Sequence, residues 1–171
     1  LPNLDYIAIT HQHPDHMSVP FIKKLLMKFP HTQIFSNNEV ATVLQKEHIP
    51  VLTTGNEYIT LTDSPHEPIF SGTPVTQNSL ITLFDKLTDP GDSLQFAETK
   101  PILALPVQAP WGSMIAIAEK AALLKPKIIL PLHDWHWHEA ARQWSYDRLE
   151  KFFSSKGIEF IRLKTGETIN L

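Results

Sequence analysis

The chain has 171 residues, of which 42% are hydrophobic and 19% charged, with a formal net charge of −3 and no cysteine. This size and composition predict one compact domain over residues 1–171, exclude disulfides and thiolate metal ligands, and disfavour general attraction to nucleic acid. No apolar run approaches the roughly 20 residues that span a bilayer. We therefore expect a cytoplasmic protein that acts on a small molecule, and the sequence is compatible with a homo-oligomer.

The first third of the chain predicts strands that alternate with helices. The apolar runs "LDYIAIT" and "TQIFSN" are typical of short strands. Between them, Ser18 and Pro20 indicate the start of a helix that ends before Pro30. The segment "NEVATVLQKEH" predicts a second helix, with Asn37 or Asn38 as its cap. The apolar face of the first helix is predicted to contain Phe21, Ile22, Leu25, Leu26 and Phe29.

From about residue 50 to 101, β-prone pieces such as "EYITL" and "SLITLF" are separated by turn-rich segments, which indicates hairpins and loops. Strands and helices then alternate again. "PILALPV" and "KIILPL" predict strands, and a helix capped by Ser113 lies between them. A last helix is predicted from about Glu139 to Lys156, with an apolar face that includes Trp144, and "IEFIRL" and "TINL" are predicted as closing strands.

A cluster of possible metal ligands follows the first predicted strand. The segment "THQHPDH" at residues 10–16 contains His11, His13, Asp15 and His16. Neutral imidazoles and carboxylates bind Zn²⁺, Mn²⁺ or Fe²⁺ where no thiolate is present. In an extended segment, residues two apart project to the same side, so His11 and His13 can share one ion. Asp15 and His16 can serve a second ion. The alternative, an exposed polar loop, explains this density of ligand-type residues poorly.

The motif resembles the signature of the metallo-β-lactamase superfamily, and the later segments follow the same pattern. The resemblance implies an α/β fold of the αβ/βα four-layer sandwich type and a metal-dependent hydrolase with two divalent ions, Zn²⁺ in preference to Mn²⁺ or Fe²⁺. It implies that His11, His13 and His66 hold one ion. Asp15, His16 and His133 would hold the other, and Asp92 in the turn "DPGDSL" would bridge both. The alternatives are a solvated turn residue for Asp92 and an exposed loop histidine for His66.

Further roles follow from this assignment. Asp92 would be catalytic by holding two ions around a shared water, and Asp15 by orienting that water or accepting its proton. Asp89, in the same turn as Asp92, would hydrogen-bond a ligand. Aromatic and polar residues late in the chain are candidates for a substrate-binding wall, with packing or surface roles as the alternative: Trp111, Trp135, His136 and His138.

The sequence leaves the substrate open. The order of segments is most similar to UlaG-like bacterial hydrolases, which favours a small ester, lactone or phosphate-containing metabolite. A nuclease similar to the tRNA-processing members of the superfamily is one alternative, and a metal-binding domain without catalysis is another. Only ten residues precede the H-x-H motif, where the superfamily has further strands. We therefore expect that N-terminal strands of the domain are missing from this chain.

Overall fold

The computed structural model describes residues 2–164 and 166–170. The chain divides into two compact units, one of Leu1–Asp85 and Asp89–Phe96 and the other of Lys86–Thr88 and Ala97–Leu171. Strands and helices occur together in both units, as the α/β prediction requires. Among the helices of the described residues, none combines the length and apolarity that crossing a lipid bilayer requires.

The first unit contains two pairs of strands and two helices. Its elements are β1 (Tyr6–Ala8), α1 (Val19–Lys28), β2 (Gln33–Phe35), α2 (Asn38–Gln45), β3 (Ile59–Asp63) and β4 (Ser79–Leu83). The strands β1 and β2 are parallel, and β3 and β4 are antiparallel. Residues 64–78 connect β3 to β4, so this antiparallel pair is joined by a long loop and not by the tight hairpin typical of such strands.

The strands β1 and β2 separate two apolar clusters in the first unit. Ile9 and Ile34 pack with side chains of α1 and α2. Phe35, the residue after Ile34, packs instead with Ile59 and Ile81 of β3 and β4. Successive residues of a strand point to opposite faces, so both faces of this short parallel pair are buried. Each fully buried side chain of this size contributes about 1.5–3 kcal/mol relative to exposure.

The predicted capping residues begin both helices of the first unit. Asn37 caps α2, and its side chain accepts a hydrogen bond from the backbone N–H of Val40 at 3.1 Å. Ser18 occupies the N-cap position of α1, but its side chain makes no capping hydrogen bond.

The prediction that Phe21 belongs to the buried face of α1 is wrong. Phe21 is exposed, whereas Ile22 and Phe29 are buried. Ile22, Leu26 and Phe29 follow the i, i+4, i+7 spacing of one helical stripe. Phe21 precedes Ile22 by one residue and is therefore turned by about 100° away from the core.

The second unit is built on a parallel sheet. Its elements are β5 (Leu87–Asp89, whose last residue belongs to the first unit), β6 (Ile102–Pro106), α3 (Met114–Leu124), β7 (Ile128–Leu132), α4 (Glu139–Ser154) and β8 (Glu159–Phe160). The pairs β5–β6, β6–β7 and β7–β8 are all parallel. All five residues of β6 are buried, which is typical of a strand in a parallel sheet covered on both faces.

Two predictions about the end of the chain are wrong. Trp144 does not belong to the buried face of α4, because Tyr146, Leu149 and Phe153 form that stripe and Trp144 is exposed beside Arg148. The segment "TINL" is not a strand over residues 168–170, and Leu171 lies outside the described residues. Its alternation of apolar and polar residues was too short to specify a partner strand.

Candidate metal centre

The histidine motif begins two residues after β1. The backbone N–H of Ile9 donates to the carbonyl of Phe35 at 3.0 Å, so the chain is still held to β2 immediately before the motif. The backbone N–H groups of His16 and Met17 then both donate to the carbonyl of His13, at 3.0 and 2.8 Å. This turn brings His16 back over His11, and their ring centroids are 3.9 Å apart.

Four of the predicted ligands converge in the first unit: His11, His13, His66 and Asp92. One ligand atom from each lies within 4.8 Å of the others. Nε2 of His11 is 3.1 Å from Nδ1 of His13, and Nε2 of His66 is 3.4 Å from Oδ2 of Asp92. Buried polar atoms normally face a complementary group. Here ring nitrogens face one another beside a carboxylate, and a divalent cation satisfies such a donor set.

The neutral tautomer of His66, with its hydrogen on Nδ1, suits metal binding through Nε2. Its Nδ1 is 2.6 Å from the backbone carbonyl of Glu67, and a carbonyl can only accept, so Nδ1 carries the hydrogen. In the neutral ring, Nε2 then presents its lone pair towards Asp92. Histidines that bind metals commonly donate their other ring N–H to a carbonyl in this way.

Asp92 presents its two carboxylate oxygens to different histidines. Oδ1 is 3.3 Å from Nε2 of His16, and Oδ2 is 3.4 Å from Nε2 of His66 and 4.0 Å from Nε2 of His11. The Oδ2 atom of Asp15 is 3.9 Å from the same Nε2 of His16, on a more exposed side. A carboxylate whose two oxygens face different ligands can serve two cations, and the bridging role of Asp92 stays a prediction.

Burial controls the charge of the first two histidines. Burial, followed by repulsion from His16, lowers the pKa of His11 to about 2. Burial also lowers the pKa of His13, which is only half-buried. Burial opposes protonation of His66 as well, but the protonated ring could donate to both Asp92 and the Glu67 carbonyl, and this raises its pKa overall. His11 and His13 are therefore neutral near pH 7, which is the form of imidazole that binds a metal ion.

A buried asparagine holds the turn that carries Asp92. The Nδ2 group of Asn78 donates to the carbonyls of Ser64 and Pro90, at 2.8 and 2.9 Å. Its Oδ1 accepts from the backbone N–H of Asp92 at 3.1 Å. Gly91 has a φ of +56°, and a Cβ there would lie 2.1 Å from Asn78 Oδ1. Gly91 therefore allows both the turn and the close approach of Asn78.

Two residues that position the predicted ligands, Asn78 and Thr10, were not predicted from the sequence. Nothing in the pattern around Asn78 marks it, since its partners are 14 and 12 residues away. Thr10 lies next to the motif, and its Oγ1 is 3.1 Å from Nδ1 of His11 and 3.2 Å from Nδ1 of His16. Its position immediately before H-x-H was the available signal. Asp89 accepts from the backbone N–H of Gly91 at 2.9 Å and so closes the turn that carries Asp92, and a hydrogen bond from Asp89 to a ligand stays a prediction.

In the second unit, His133 follows the last residue of β7 in a left-handed backbone conformation, with a φ of +64°. Its Nδ1 donates to the backbone carbonyl of Gln108 at 2.6 Å, so it has the same tautomer as His66 when neutral. Its role as a metal ligand stays a prediction.

The predicted substrate-binding residues also lie in the second unit. Trp111 is half-buried, whereas Trp135 is exposed with its ring centroid 5.1 Å from that of His136. His138 is the N-cap of α4, and its Nδ1 accepts from the backbone N–H of Ala140 at 3.3 Å. The structure thus gives His138 a helix-capping role, and contact of these residues with substrate remains a prediction.

The fold is similar to those of two solved structures whose names describe metal-dependent hydrolases. A protein of Parabacteroides distasonis described as a metal-dependent hydrolase superposes with a TM-score of 0.68 at 22% identity, covering 94% of this chain and 76% of that chain. Igni18, described as a metallo hydrolase of Ignicoccus hospitalis, gives a TM-score of 0.68 at 18% identity and covers 96% of this chain and 78% of that chain.

The chain is also similar in sequence to a protein of Mycobacterium tuberculosis. Protein Rv0786c of Mycobacterium tuberculosis is 28% identical over 161 residues, which cover 87% of this chain and 76% of that protein. No protein-family model matches the chain.

Proposed function

We propose that this protein is a metal-dependent hydrolase of the metallo-β-lactamase type, with a four-layer sandwich fold and two divalent ions, preferably Zn²⁺. The observation that carries the proposal is the carboxylate of Asp92, with one oxygen towards His16 and the other towards His66. His11, His13 and His66 would hold the first ion. Asp15 and His16 would hold the second, and Asp92 would bridge both.

Divalent ions in such a donor set lower the pKa of bound water and so supply hydroxide near neutral pH. The protein's own residues prepare this chemistry in three ways. Burial keeps His11 neutral, the Glu67 carbonyl orients His66, and the Asn78 side chain fixes the backbone at Asp92. None of these groups needs to reorganise during the reaction, which favours catalysis by a preorganised site.

Asp15 is the proposed proton acceptor. Its carboxylate is exposed and lies 3.9 Å from Nε2 of His16, whereas the Asp92 carboxylate is buried. An exposed carboxylate at the edge of the centre can exchange protons with solvent, so it suits a general base better than a buried bridging group. The reaction adds water across an ester, lactone or phosphoester bond and gives an acid and an alcohol.

The experiment that tests this function is the metal content of the full chain, purified without added metal or chelator and measured by mass spectrometry. We expect two equivalents of metal, falling to one or none in Asp92→Ala. The matched control is Asp63→Ala, because Asp63 is an exposed carboxylate of the same unit and should not affect metal content. Loaded protein is then screened with esters, lactones and phosphodiesters. Failure to bind Zn²⁺ or Mn²⁺ after incubation would contradict the proposal.

A further inference from the structure

The loop between β3 and β4 lines a cleft beside the candidate metal centre. The cleft has a volume of about 200 Å³, and His13 and His66 belong to its lining. Much of the remaining lining is apolar and comes from one short segment: Ile69, Phe70, Pro74 and Val75. The predicted ligands and this apolar surface therefore share one cavity. Its volume accommodates a short aliphatic chain better than a large ligand, whose pockets reach several hundred Å³.

The apolar side chains of this loop are not part of the core. Phe70 is 71% exposed, and Ile69 and Val75 are nearly half exposed. Large apolar residues clustered on a surface commonly mark a binding site, whereas isolated ones do not. A ligand chain that covers these residues would remove apolar surface from water and so gain affinity.

The charge of the loop argues against an anionic ligand. Residues 64–78 contain no Lys or Arg, so apart from the predicted metal ligand His66 the loop offers no basic side chain for a phosphate or a carboxylate. Its one carboxylate, Glu67, accepts from the backbone N–H of Leu94 at 3.1 Å and from Nε2 of Gln95 at 3.3 Å. These contacts fix Glu67 to the segment that follows Asp92. A neutral substrate fits this lining better than a phosphate-containing one.

The far end of the loop is fixed to the histidine motif through Glu39. Oε2 of Glu39 accepts from Nε2 of Gln12 at 3.0 Å and from the backbone N–H of Gln77 at 2.9 Å, and it also accepts from the hydroxyl of Thr76. Gln12 lies between the two histidines of H-x-H. The apolar wall is thus connected to the segment that carries the predicted ligands, and a wall fixed in this way loses less entropy when it binds a chain.

We propose that the β3–β4 loop is a subsite for the apolar acyl chain of a neutral ester or lactone substrate. This inference rests on the proposed hydrolase function and narrows its substrate class. Water adds to the acyl carbon, the acyl C–O bond breaks, and the proton passes to the departing oxygen. The acyl chain would lie against Ile69, Phe70 and Val75 during this step.

The test uses metal-loaded full chain and a series of p-nitrophenyl esters from acetate through butyrate to hexanoate. We expect kcat/KM to rise with chain length, by up to about fourfold for each methylene that becomes fully buried. Phe70→Ala should flatten this rise, with a loss of kcat/KM that grows from acetate to hexanoate. Phe21→Ala is the matched control, because Phe21 is an exposed phenylalanine of α1 outside the cleft.

The outcomes separate failure of the subsite from failure of the function. Ester turnover without chain-length dependence, or with the same dependence in Phe70→Ala, would overturn the subsite and leave the hydrolase intact. Preferential hydrolysis of bis(p-nitrophenyl) phosphate would overturn the assignment of a neutral substrate. Without any turnover, calorimetric binding of the neutral amides butanamide and hexanamide decides the subsite alone. Tighter hexanamide binding that is lost in Phe70→Ala supports it, and equal binding of the two amides, or binding of neither, overturns it.

Discussion

A single methyl group at Gly91 should disrupt the backbone that carries Asp92. The residue has a φ of +56°, a conformation that costs an L-residue about 1–2 kcal/mol. Its new Cβ would also lie 2.1 Å from Asn78 Oδ1 and 2.8 Å from Thr10 Cβ, so the buried Asn78 must move. Overpacking of this kind costs about 1–3 kcal/mol. We therefore expect Gly91→Ala to lower the free energy of unfolding by about 2–5 kcal/mol.

The assay is urea unfolding of metal-free protein, followed by titration with Zn²⁺ in competition with a chromophoric chelator. Gly72→Ala is the matched control, because Gly72 lies in the same unit and has a φ of +79°. A Cβ at Gly72 would have open space, since among the described residues only its immediate chain neighbours come within 4 Å. Gly72→Ala should lower the free energy of unfolding by about 1–2 kcal/mol, which is the cost of the left-handed conformation alone. Equal losses for the two variants, or unchanged zinc affinity in Gly91→Ala, would refute the role given to Asn78.

Three other perturbations probe separate parts of the structure. Thr10→Val removes a hydroxyl that contacts two histidine rings, so we expect zinc affinity to fall about 10–100-fold in the chelator assay. In metal-free protein, burial lowers the pKa of His11 from its ordinary value of 6.5 to about 2. The contribution of His11 to the free energy of unfolding is therefore fully present above pH 6.5 and declines as the pH falls below that value. Urea unfolding at neutral and mildly acidic pH should show a smaller decline for His11→Gln. Ser113→Ala should cost about 1 kcal/mol because Ser113 caps α3, whereas Ser18→Ala should cost much less because the Ser18 side chain makes no capping bond.

Each of these expectations has a contrary result. Unchanged zinc affinity in Thr10→Val would show that the hydroxyl does not orient the two rings. The same acid sensitivity in His11→Gln as in the original chain would assign the decline to other groups. Equal losses in Ser113→Ala and Ser18→Ala would mean that the capping hydrogen bond contributes little to the stability of α3.

Local features of the fold were predictable because their causes lie within a few residues. Asn37 and Ser113 each accept a hydrogen bond from the backbone N–H three residues further along the chain, so the sequence around them predicts the cap. The H-x-H spacing likewise placed His11 and His13 together. Exposure was harder to predict. Phe21 and Trp144 lie beside the buried stripes of their helices, and which residues form each stripe depends on the direction of the core, which the sequence does not give.

The supporting role of Asn78 in the candidate centre could not be found from local pattern. Asn78 joins Ser64, Pro90 and Asp92, and these contacts exist only after β3, β4 and the later turn have come together. The grouping of His66 with the motif was suggested by the resemblance, and the spacing of residues did not reveal it. The prediction of one domain over residues 1–171 stays a prediction, and the structure adds that the chain divides into two compact units.

The order in which the centre forms follows from how far apart its parts lie along the chain. His11 and His13 meet within one short segment, so an unfolded chain can already hold an ion weakly with this pair. His66 and Asp92 can reach them only by closing long loops, so we expect these two residues to join the pair later in folding. A partly folded chain would then hold Zn²⁺ through His11 and His13 alone, and we expect it to yield that ion to a competing chelator more readily than the folded protein does.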